Sequence, residues 1–199
     1  MDAKPRFLPR ARAGAIAVAA AALTIVSAAA QPLAGADLER TVREVHAAAK
    51  PLDAHADILV PTTPGIYRTS DGVSQVTVEK LVQGGMATIT LALHSPNGPD
   101  TPAGVDAARR ELDAKLARIR ELEREHAAAI AVVRSAAQVE SAHAGGRVAV
   151  LIGFQNAYGL GTDLSLIDRY VDEGVRVFAF NHAGNNAFAD SSRPSVSDD

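Results

Sequence analysis

The stretch Leu52–Val60, LDAHADILV, places Asp53, His55 and Asp57 at alternate positions of an apolar run. Residues two apart in a strand point to one face, so these three side chains are predicted to project together. A buried face carrying an imidazole and two carboxylates is costly unless something cationic or hydrogen-bonding compensates. Neutral imidazole and carboxylate suit zinc where no thiolate is offered, and H-x-D sets two such ligands on one strand face. The plain alternative is a strand end with solvated polar residues. The sequence has no Cys, so any metal must be held by His, carboxylate, amide or water.

The elements that would position these residues follow a βα rhythm. Asp37–Lys50 reads as a helical lead-in with Leu38, Val42 and Val45 on one stripe, followed by the strand of LDAHADILV. A Pro/Gly/Thr/Ser-rich loop leads to Thr77, an N-cap, and a short helix stopped at Gly84-Gly85. Met86–Leu93 is a β-branched apolar strand ending in His94. Asp106–Ala129 is predicted to be helical, with Leu112, Leu116, Ile119 and Leu122 as its apolar stripe and a solvated Arg/Glu face. A brief IAVV run, a helix through Val139, the strand VAVLIGF (148–154), a helix over Asp163–Glu173 and the strand VRVFAF (175–180) complete the pattern.

Continuous apolar strands alternating with amphipathic helices indicate an α/β fold with a parallel sheet covered on both faces. The polar residues fall at the strands' carboxyl ends: His55 and Asp57, then His94, then Gln155 and Asn156, then Asn181 and His182. That edge is where open α/β sheets and β/α barrels build their sites. His94, before Ser-Pro, reads as a pocket wall or a solvated residue. His46, His126 and His143 read as structural helix histidines. Asp53 reads as a second carboxylate orienting His55 or as a solvated residue, and Asp190 as a brace for the loop after His182.

The 199 residues are 47% hydrophobic and 22% charged, ordinary for a globular chain. With net charge −3, 4% aromatic residues and no basic run beyond the N-terminus, nucleic-acid binding has no electrostatic or stacking basis. Residues 1–36 stand apart. Lys4, Arg6, Arg10 and Arg12 precede the small and apolar run Ala13–Ala30, and A-x-A sites end at Ala30 and Ala36. This is a secretory signal pattern, giving an exported, periplasmic or secreted protein that starts at Gln31 or Asp37 and keeps no stable membrane span. A retained membrane anchor is the alternative, since 18 residues is near the spanning minimum. Removing residues 1–30 leaves 16 basic and 22 acidic residues, a net charge of −6.

DAHADILV, the Gly-Gly–strand–His/Ser segment, GRVAVLIGFQNA and LSLIDRYVDEGVRVFAFNHAGNNAFADS together resemble the membrane (renal) dipeptidase family, from about Leu52 to Arg193. The resemblance implies a zinc peptidase of the amidohydrolase superfamily on a (β/α)8 TIM barrel, of which about the first four βα units are present. His55 and Asp57 then match the family's H-x-D, two ligands of the first zinc. Gln155 falls where the family commonly has a glutamate bridging two zinc ions, and His182 matches a histidine that binds substrate and stabilises the tetrahedral intermediate. One or two zinc ions would activate water against the peptide bond of a dipeptide substrate.

Two departures accompany the resemblance. A glutamine is a neutral, poor bridge between metals. The chain ends at Asp199, before the strands that would supply two further histidine ligands and an acid/base aspartate, so residues 37–199 read as the N-terminal half of the barrel, a partial chain inactive alone. A catalytically inactive binding or assembly module is the alternative, and a half barrel completed by homodimerisation is a third reading.

Overall fold

Thr77 accepts a bond from the Lys80 amide at 3.2 Å and starts a short helix that ends at Gly84, as its capping sequence requires. The computed structural model describes residues 35–193 except 59, 61, 62, 64 and 71; the expected signal segment through residue 34 lies outside the described residues. The elements run α1 (Ala36–Ala48), β1 (Leu52–Asp57), α2 (Val78–Gln83), β2 (Thr88–Leu93), α3 (Pro102–Glu125), β3 (Ile130–Val132), α4 (Ala136–Ala144), β4 (Val148–Phe154), α5 (Ser165–Asp172) and β5 (Val175–Phe178). The five strands form one parallel sheet. β2 lies between β1 and β4, while β3 pairs with the first half of β4 and β5 with its last.

Alternation along β2 and β4 divides the sheet into two faces. Ile89, Leu91 and Leu93 of β2 and Val148, Val150, Ile152 and Phe154 of β4 pack in one cluster with Leu112, Leu116 and Ile119 of α3 and Tyr170 of α5. This is the outer, helix-covered face. Tyr170 is fully buried, yet its hydroxyl donates to Asp113 at 2.7 Å, so its polar end is satisfied. On the inner face Ala149 packs with Ala142 of α4 and Val133. α4 therefore covers the amino-terminal end of the inner face, and His143 fixes it there, 3.1 Å from Thr88 Oγ1 and 3.0 Å from the Ala87 carbonyl.

Several element limits differ from the sequence expectation. The first strand stops at Asp57 because the Val60 amide turns to Thr63 Oγ1 at 2.8 Å, although Ile58 and Val60 stay buried. α3 begins at Pro102, four residues early, because Thr101 caps Gly104 and Pro suits the first helical position. It ends at Glu125, where His126–Ala129 form a turn. The stripe of Leu38, Val42 and Val45 on α1 remains exposed.

Candidate metal centre

A β-bulge shapes the first part of the site. Leu52 and Asp53 pair with Thr88 and Ile89, but Ala56 and Asp57 pair with Leu91 and Ala92. One extra residue therefore sits on β1 between Asp53 and Ala56. Asp53 falls opposite an outer-face position and Asp57 opposite an inner-face one, so the expected common face of Asp53, His55 and Asp57 does not form. Asp53 Oδ1 instead accepts the backbone amide of His55 at 3.0 Å, holding the bulge rather than the imidazole. His55 and Asp57 do remain together, with Nε2 and Oδ2 3.9 Å apart. The His55 side chain is 45% exposed and that of Asp57 is 18% exposed, so the carboxylate is the more enclosed partner. A cleft of about 220 Å³ lies against both and is also lined by Asp53, with Ser74, Gln75 and Val76 closing it.

The other residues arrive at the same sheet edge. Leu93 pairs with Phe154, and the Gln155 amide donates to the Leu93 carbonyl at 3.1 Å. His94 and Gln155 are thus the next residues of two adjacent strands. The loop after β5 brings His182 beside His94, ring centroids 5.3 Å apart and edge to face. His94 is a half-buried wall of the site rather than a solvated loop residue. Burial first, then the nearby Lys115 charge, lowers its pKa to about 4; His182 and His55 act the same way and Asp57 opposes them. His94 is therefore neutral near pH 7.

Lys115 departs from the solvated-face reading of α3: it is 3% exposed, beside Leu112 and Leu116 on the buried stripe. Burial lowers its pKa, opposed by Glu111 and Asp57, and its Nζ stands 3.9 Å from Glu111 Oε1. Sequence reasoning also missed an amide chain that sets the loops. Asn156, 1% exposed, donates to Ser95 O at 3.1 Å and Asn97 Oδ1 at 2.6 Å, and accepts from the Tyr158 amide and Asn186 Nδ2. Asn186 in turn donates to Phe180 O and accepts from the Phe188 and Ala189 amides. The local signal was present, because an Asn side chain that accepts an amide two residues on is a turn former; the link between the two loops carries none. Asn186, Asn185 and Ser191 brace the loop after His182, the role expected of Asp190.

The donor set fits a divalent ion in part. His55 Nε2 and the Asp57 carboxylate make one pair, and Gln155 Oε1 is buried without a hydrogen-bond partner, as is His94 Nδ1. Buried polar atoms are normally bonded, and among the described residues Ser95 Oγ and His143 Nδ1 share this state. Among the described residues no three or more His, Asp or Glu side chains gather closely enough to hold a metal ion. None of the described helices is long and apolar enough to cross a membrane.

Comparison with solved structures supports the barrel. The probable dipeptidase PvdM from Pseudomonas aeruginosa is 28% identical with a TM-score of 0.68, the match covering 78% of this chain and 40% of that one. The dipeptidase AC, a metallo peptidase, is 23% identical with a TM-score of 0.55, covering 67% of this chain and 45% of its own. A metallo peptidase from Rhodobacter sphaeroides, liganded with a phosphinate mimic of the dipeptide L-Ala-D-Ala, is 22% identical with a TM-score of 0.52, covering 64% and 44%. The chain thus spans less than half the length of these structures, and its parallel sheet corresponds to about the first four βα units of a TIM-barrel-type fold. Comparison with curated proteins gives no match. The membrane dipeptidase family (peptidase family M19) matches residues 39–199, and the chain belongs to that family.

Proposed function

We propose that this chain forms the amino-terminal metal-binding half of an exported, zinc-dependent hydrolase of dipeptides. The reading is carried by the His55–Asp57 pair at the carboxyl edge of the sheet, in a chain of a dipeptidase family. His55 and Asp57 would hold the first ion, and Gln155 would offer its amide oxygen to it or to a second. A bound divalent ion supplies Lewis acidity and a water of near-neutral pKa. His182, exposed on the loop after β5 and in ring contact with His94, would donate an N–H to the carbonyl oxygen of the scissile bond. His94 packs edge-on against His182 and narrows its range of orientations. Asn156 and Asn186 hold the loop that carries His182.

The test is dipeptide hydrolysis by the full-length protein, including any sequence its gene encodes beyond Asp199, before and after chelation. Turnover lost on chelation and restored by zinc supports the reading, and turnover indifferent to chelation overturns it. A second reading, an inactive binding or assembly module, is favoured by Gln155, whose neutral amide bridges two cations poorly. It requires metal binding without turnover. Export is tested separately: the amino terminus of secreted or periplasmic protein should be Gln31 or Asp37, and membrane-bound protein retaining Met1 would refute cleavage.

A further inference from the structure

The crossover from β1 to β2 carries one short α-helix among its described residues, α2, of six residues. At about 1.5 Å per residue it is about 9 Å long, whereas a strand of the same length runs about 20 Å. It therefore covers only part of the outer face between the strands it joins. Beside it, between α2, α3 and the sheet, lies a cavity of about 270 Å³. Ile58, Val78, Leu91, Ile130 and Val150 line it, all members of the buried outer-face cluster. An apolar cavity of roughly 150 Å³ already admits benzene, so this one has room for a fused ring pair.

The polar part of the wall selects the charge of the occupant. On the solvent side Arg118 is bonded to Glu121 and, at 3.2 Å, to Glu125, while His126 Nδ1 stands 3.9 Å from Glu79 Oε1. These charges answer one another, so among the described residues they leave none to hold an ionic ligand. Ser74 and Thr77 already accept from the Val76 and Lys80 amides. That leaves Asp57, at the end of β1, whose ionised carboxylate accepts a hydrogen bond and repels an anion. Asp57, Ser74 and Val76 also line the cleft beside His55, so the cavity and that cleft share a wall. We propose that this cavity binds a neutral aromatic molecule of the size of indole, bearing one N–H or O–H donor, and that its occupant weakens metal binding at Asp57 by engaging the carboxylate. The link to metal rests on the His55–Asp57 reading above; the cavity site does not.

The full-length protein, stripped with chelator, is titrated with indole by calorimetry while its melting temperature is followed. Wild type should bind one equivalent and melt higher with indole present. Indole-3-carboxylate, which sets a second negative charge against Asp57, should bind about tenfold or more weakly. Val76→Trp and Leu122→Trp, each filling the cavity from a half-buried wall position, should lose indole binding. Leu164→Trp, on the exposed surface, should keep it. Zinc affinity should fall about fivefold or more at saturating indole, and indole affinity by the same factor with zinc bound. No indole binding, equal binding of the carboxylate, or binding that survives both wall variants overturns the cavity site. Indole bound with zinc affinity unchanged overturns the link to Asp57. Indole bound by a protein that takes up no zinc supports the cavity site and refutes the metal reading.

Discussion

As proposed ligands, Asp57 and His55 are unequal, and the inequality is testable. The carboxylate is the more enclosed and lies in the field of the buried Lys115, whereas the imidazole is nearly half exposed. Asp57→Ala should therefore cost more metal affinity than His55→Ala, each removing at least one zinc equivalent from the full-length protein; unchanged metal content would sink the assignment. Gln155→Glu has two opposed effects. In the metal-free protein a carboxylate replaces a buried, unpartnered amide oxygen, which should destabilise by about 1–3 kcal/mol. With zinc the new charge binds the ion, and the metal-bound state gains stability in proportion to the logarithm of ligand over Kd. The variant should thus melt below wild type in chelator and show a larger upward shift with zinc. A smaller shift would remove Gln155 from the metal. The H-x-D pair was legible because two residues in one strand need only local geometry. For His94 the sequence left a pocket wall and a solvated residue open, because the ring it packs against, His182, lies 88 positions away along the chain.

Among the elements, those fixed by local chemistry were the readable ones. β4 has the limits its apolar run suggests, and α2 starts at the Thr77 cap and stops at Gly84. The common face of Asp53, His55 and Asp57 failed because a bulge leaves no mark in a short alternating run. The position of α4 on the inner face was equally hidden: its nine residues are largely small and carry no strong apolar stripe, and it is placed by Ala142 against Ala149 and by His143. The start of α3 shows how tightly the loop after β2 is packed. A Cβ on Gly104 would stand 2.2 Å from the Pro99 carbonyl oxygen and 2.7 Å from the Tyr158 hydroxyl, which itself donates to Pro99 at 2.7 Å. Gly104→Ala should cost about 1–3 kcal/mol by overpacking, although alanine favours helices. Gly65→Ala, with nothing within 4 Å, should stay within about 0.5 kcal/mol. Denaturant unfolding of the full-length protein measures both, and equal midpoints would show that the loop yields freely.

For the molecule as a whole, the centre of the sheet and its margins have unequal support. On the outer face Phe154, Tyr170, Ile89, Leu112 and Ile119 are essentially fully buried, a core sufficient to hold strands and helices together. The margins of the sheet leave apolar surface open: Leu52 at the start of the edge strand β1 is 57% exposed, Val177 on β5 46%, and Phe180, just past β5, 65%. α1 adds its uncovered Leu38, Val42 and Val45. Open strand edges template pairing with other chains, and unburied apolar area fails to offset conformational entropy. We therefore expect residues 37–199 alone to keep helical circular dichroism while melting broadly, to bind a hydrophobic dye and to aggregate as concentration rises, the signature of collapse without fixed packing. The same segment should hold zinc weakly through the His55–Asp57 pair and turn over no dipeptide. Purifying it and recording its thermal melt beside dipeptide hydrolysis with added zinc decides the matter. A sharp melt with turnover would show that the outer-face core and the His55–Asp57 edge suffice for folding and chemistry.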